Sequence, residues 1–108
     1  MIATAALLCL LTTAQARPAG CPHRWCGCFH RTQVGSDPGP AYNLARNWAT
    51  WGTDAGGPGV GVTVVWRHHV GMIVGRDERG QWIVKSGNDG NAVRERPRSL
   101  AGAIAFRR

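Results

Sequence analysis

The sequence predicts an α+β domain in which short N-terminal helices pack on a small antiparallel sheet. Apolar residues recur at three-to-four spacing between Trp25 and Gly52, the period of a helix. From Val62 onward they gather in short β-branched and aromatic runs separated by turn residues, which reads as strands. Length allows one such domain: without a leader of sixteen residues the chain keeps 108 − 16 = 92, enough for a single core.

The leader is Met1–Ala16, MIATAALLCLLTTAQA, which has no charged side chain, an apolar run at Leu7–Leu11 and the small-residue ending Ala14-Gln15-Ala16. That pattern is a secretory signal peptide cut after Ala16, so the protein is expected to be secreted or periplasmic. The run falls short of the ~20 residues that span a bilayer, and Leu8 before Cys9 does not suit a lipoprotein signal. The domain then occupies 17–108. RPAGCPH is an irregular lead-in. Trp25, Cys28 and Phe29 begin a short helix that ends near the breakers Gly35–Pro40, and AYNLARNWATWG forms a second helix with Gly52 as its stop. GTDAGGPGVG is a loop. Three strands follow, Val62–Trp66, His69–Gly75 and Gln81–Ser86, joined at Arg67-His68 and at DERG in an antiparallel meander, and the apolar run GAIAF closes the chain before two arginines. Trp48, Trp51, Trp66 and Trp82 are expected in the core.

A net charge of +7 falls wholly on the domain, carried almost entirely by arginines spread from Arg17 to Arg108. Without a dense basic run, nucleic acid is not the expected partner, and an anionic cell-envelope polymer suits an exported protein better. Gly56–Gly61 lacks the Gly-Lys-Ser/Thr ending of a phosphate loop.

Chemistry concentrates in RWCGCFHR, Arg24–Arg31. With Cys21, Cys26 and Cys28 in an oxidising compartment, internal pairing leaves at least one thiol over. Cys26 lies at the start of the first helix, where unpartnered N–H groups favour a thiolate and a lowered pKa. Cys28 points to the opposite side. His69 opens a strand and could serve as base, while His68 points to that strand's other face. Cys21, His23, Cys26, Cys28 and His30 could ligate zinc by composition, but they form no C-x2-C pair and no second knuckle exists. SGNDGN follows the third strand, and Asn88 or Asp89 there could orient the His69 ring, although any turn contains such residues.

The order Trp-Cys-small-x-aromatic opening a helix, Ala-Arg-x-Trp in the next, then HVG(apolar)xVG and a strand ending in Ser-Gly-Asn resembles small CHAP-like cysteine hydrolases of bacteria and phages, in the papain-like group of cell-wall amidases and endopeptidases. The resemblance runs from Trp25 to Phe106. It implies a papain-like fold with Cys26 as nucleophile, His69 as general base and acid and Asn88 as the orienting residue. It also implies cleavage of peptidoglycan amide bonds by a monomer that needs no metal or organic cofactor. Three departures stand out. Gly61-Val62 replaces the family's Gly-Asp, Gly27 stands where alanine is usual at a helix cost of about 1 kcal/mol, and Cys28 occupies an apolar position. If a disulfide forms, Cys21–Cys28 is the expected pair. The alternative function is a non-catalytic basic envelope-binding module of the same fold.

Overall fold

The computed structural model describes residues 16–108. The expected leader lies outside the described residues, apart from Ala16. The described chain is a five-stranded antiparallel sheet with three short helical segments, which is the α+β class expected from the sequence. Helix α1 is Cys26–His30, followed by the 3-10 helices η1, Pro40–Asn43, and η2, Ala45–Thr50. The strands are β1, Thr63–Trp66; β2, His69–Arg76; β3, Trp82–Ser86; β4, Arg94–Pro97; and β5, Ala105–Arg107.

Spatial order is β4-β3-β2-β1-β5. The first four strands form a meander, and the closing run returns to the far side of β1, pairing Val64 with Phe106. Strand alternation gives the sheet two apolar faces. Val65 and Val70, paired in register, pack with Cys26, Ala45 and Trp48 under the helices. Val62, Val64, Ile73 and Val84 form the opposite cluster, covered by Leu100, Ala103 and Phe106. Trp25 and Trp48 are fully buried, whereas Trp51, Trp66 and Trp82 are half-buried at the margins of these clusters.

Two expectations are corrected, and one strand was not anticipated. The second helix is not continuous, because Leu44 is extended at φ −83°, ψ 115° and is 48% exposed. Side chains hold the carbonyls that an α-helix would use: Asn47 Nδ2 donates to Ala41 O at 2.8 Å and Trp48 Nε1 to Tyr42 O at 2.8 Å. The first helix is shorter than its apolar spacing suggests and ends at His30. Strand β4, RERP, lacks any apolar residue apart from proline and is exposed along its length, so it carried no strand signal. It is an edge strand held by backbone pairing to β3, where charge and proline are tolerated.

Gly27 has a packing reason rather than a helical one. A Cβ there would collide with the backbone carbonyls of Tyr42 and Asn43, so glycine lets η1 lie directly on α1. Cys21 and Cys28 are joined in a disulfide with Cα atoms 5.8 Å apart, the pair expected if one formed. It ties the irregular lead-in to α1 and leaves Cys26 as the free thiol among the described residues. The zinc-type donor set is thereby dismantled, since two of its sulfurs are bonded to each other and His30 faces Thr63. Among the described residues, no helix is long and apolar enough to cross a membrane.

Candidate active site

Three elements distant in sequence meet at one cleft of about 410 Å³, lined by Arg24, Cys26, His68, His69 and Asn88. Trp25 immediately precedes α1 and is fully buried, which fixes the helix start and places Cys26 against the first residues of β2. Cys26 is 4% exposed, and its thiol donates to His68 O at 3.9 Å. The ring of His69 lies 5.9 Å from that of Trp66, its cross-strand partner. Asn88 follows β3 in the left-handed region at φ 53°, a conformation that asparagine adopts more readily than most residues.

The sequence left Asn88 and Asp89 open as the orienting group. Asn88 lines the cleft, whereas the buried Asp89 carboxylate is engaged elsewhere. Arg96 donates to both of its oxygens, through Nε at 2.8 Å and through Nη2, and Arg98 Nη1 lies 3.8 Å away. Arg94 Nε donates to the Asp89 carbonyl at 2.7 Å, and the Asp89 N–H donates to Ala92 O at 2.9 Å. Asp89 therefore pins the turn on which Asn88 sits.

Burial sets the charge states of Cys26 and His69. It pushes the Cys26 thiol up from its ordinary value, outweighing the backbone N–H groups of Val70, Gly27 and Cys26 and the positive charge of Arg98, which act downward. The expected low-pKa thiolate is thus corrected: desolvation exceeds the help from the helix start. Burial likewise pushes His69 down to about 4, with Arg98 and Arg96 reinforcing the shift and Asp89 opposing it. At neutral pH the ligand-free site holds a protonated thiol and a neutral imidazole. His69 Nε2 is buried with no hydrogen-bond partner among the described residues, and so are His30 Nδ1 and Ser86 Oγ.

Two expectations about the histidines change. His68 also lines the cleft instead of being confined to the other face, because it sits in the turn before β2 where strand alternation does not apply. His30, considered only as a metal ligand, is a buried core residue: Nε2 is 2.8 Å from Thr63 Oγ1 and the ring stacks edge-on against Trp48. Arg24 and Arg67, beside Cys26 and His68 in sequence, were also missed as lining residues. Their adjacency to those two residues was the available signal.

Compared with known proteins, the chain matches no family model, no curated protein and no solved structure.

Proposed function

We propose that the protein is a cysteine-dependent amidase or endopeptidase of the papain-like, CHAP-like kind, acting on peptide-type amide bonds of peptidoglycan. The observation that carries this reading is the shared cleft: the free thiol Cys26, the histidine His69 and the amide Asn88 come together from α1, β2 and the turn after β3. In this reading the Cys26 thiol passes its proton to His69 as sulfur attacks the substrate carbonyl, so that a neutral resting pair is converted to an ion pair only with substrate in place. The N–H groups of Cys26 and Gly27, which already act on the sulfur, assist the developing oxyanion. His69 returns the proton to the leaving amine, and water then hydrolyses the thioester. No step calls for a metal or organic cofactor.

The test is incubation of the purified protein with peptidoglycan, identifying released fragments by mass, with Cys26→Ala as the control. Fragments that appear only with Cys26 intact support the reading. A folded protein that releases nothing overturns it. The neutral state of Cys26 and His69 favours a second reading, a non-catalytic envelope-binding module. In that case Cys26→Ala would bind the same wall material as the native chain and neither would cut it.

A further inference from the structure

Cys26 lies at the boundary of two openings. Beside the main cleft is a recess of about 40 Å³ that shares Arg24, Cys26 and His68 with it and adds Arg67, Asn43, Leu44 and Ala45. Both arginines are exposed, and neither forms an ion pair among the described residues. None of the six acidic residues lines either opening. The acid that acts on His69, Asp89, is already held by Arg96 and Arg98, and Asp37 is taken by Arg31 at 2.8 Å. Arg98 adds positive potential at Cys26 itself.

We propose that Arg24 and Arg67 form a carboxylate-binding site beside Cys26, which selects ligands ending in a small residue with a free carboxylate. A planar guanidinium offers paired N–H donors that match the two oxygens of a carboxylate. The recess is about a tenth the size of the neighbouring cleft, 40 against 410 Å³, so it admits a small side chain and not a bulky one. Leu44 and Ala45 give that side chain an apolar contact, while the Asn43 side chain is already engaged by Arg31 Nη1 at 2.9 Å. Under the proposed hydrolase function, which this site refines, the carboxylate-bearing residue is the one released, so the site narrows the amide cut to the one before a C-terminal residue; the binding itself does not require catalysis.

The test is an NMR titration of the native protein with N-acetyl-alanine and, separately, with N-acetyl-alaninamide. The expected result is saturable shifts at residues 24, 67 and 68 with the carboxylate, and at least tenfold weaker binding of the amide. Arg24→Gln and Arg67→Gln should each weaken carboxylate binding about tenfold, while Arg24→Lys should retain part of it. Equal binding of the two probes, shifts confined to other residues, or no saturable shift in a folded protein would overturn the site. Cleavage assays on peptides with free and amidated C-termini separate the two ideas. Selective carboxylate binding without cleavage of either peptide removes the hydrolase function and leaves this site standing. Equal cleavage of both peptides with no selective binding does the reverse.

Discussion

The Cys26 thiol donates to the backbone carbonyl of His68, 42 positions along the chain, which makes the start of α1 and the start of β2 one surface. Ala45, Trp48, Val65 and Val70 bury the sulfur beside that contact, and burial is the largest influence on its ionisation. Iodoacetamide should therefore alkylate Cys26 in the ligand-free protein only at a pH above that of an ordinary thiol, near 8.5. Mass spectrometry of alkylation rate against pH measures this. A profile already complete at pH 7 would show that the backbone N–H groups and Arg98 outweigh desolvation.

The packing of Gly27 under η1 makes an opposite prediction to helix propensity. Propensity alone says Gly27→Ala stabilises α1 by about 1 kcal/mol. The clash of the added methyl with the carbonyls of Tyr42 and Asn43 should instead destabilise the protein by about 1–3 kcal/mol, read from denaturant unfolding. A more stable Gly27→Ala protein would mean that η1 moves away at little cost.

The disulfide changes what Cys28 is worth. As a buried free thiol its removal would be a small loss, but closing the loop to Cys21, a separation of seven residues, stabilises by about 2–3 kcal/mol in the chain-entropy account. Cys28→Ala and Cys21→Ala should lose a similar amount, and the double variant should lose little more than either alone. Urea unfolding of the three proteins tests this. Additive losses would show that the sulfurs contribute separately through packing.

Two buried histidines couple stability to acid. His30 is held down to about 3, by burial first and His69 second, and His69 is held down to about 4. Each is neutral in the fold and binds a proton more readily when unfolded, so its stabilising contribution is full above pH 6.5. That contribution is lost progressively as pH falls below 6.5, where the unfolded chain takes up the proton first, and the loss is complete near pH 4 for His69 and near pH 3 for His30. For His30 the whole loss is on the order of 5 kcal/mol. Urea unfolding at intervals from pH 7 to 4 should show stability falling, and His30→Gln should be weaker at pH 7 with a shallower slope. A flat profile in the native chain would contradict the burial argument.

Much of this architecture was legible in the sequence because it follows hydrophobic periodicity. Val62–Trp66, His69–Gly75 and Gln81–Ser86 read as strands and are strands to within a residue or two. The candidate site was legible for a different reason: residue chemistry pointed to Cys26, His69 and either Asn88 or Asp89, the resemblance implied Asn88, and the fold gathers Cys26, His69 and Asn88 at one cleft. Features set by tertiary contact were not legible. The break at Leu44 depends on side-chain bonds from Asn47 and Trp48. Strand β4 depends on pairing to β3 rather than on its own residues, and the pKa of Cys26 depends on how deeply α1 sits against β2.

Asn88 joins a backbone requirement to a side-chain one, and two substitutions separate them. At φ 53° a side chain with Cβ costs about 1 kcal/mol unless it is asparagine or a similar residue, while glycine costs least. Asn88→Ala should therefore lose stability and Asn88→Gly should not. If the carboxamide orients His69, turnover should fall in both variants, by less than for loss of the nucleophile. Full activity in Asn88→Gly would leave the residue with a purely conformational role.

The two histidines of the cleft separate by the same kind of comparison. His69 opens β2 with its ring beside Trp66, while His68 lies in the turn and supplies the carbonyl that receives the Cys26 proton donor. A backbone carbonyl survives any side-chain substitution, so His68→Ala keeps that contact. It should alter kcat on a peptidoglycan substrate by only a few-fold, with any larger effect on KM because the side chain lines both openings. His69→Ala should lower kcat by about 10²–10⁴, the range for removing a general base, and Cys26→Ala should abolish turnover with the fold intact. The pH profile supplies the independent check. If the essential base is His69, held down by burial, kcat/KM should persist to a pH well below 6.5 before falling. A reversal of the two alanine effects, with His68→Ala the inactive protein, would transfer the base to the turn and leave His69 as part of the packing around Trp66.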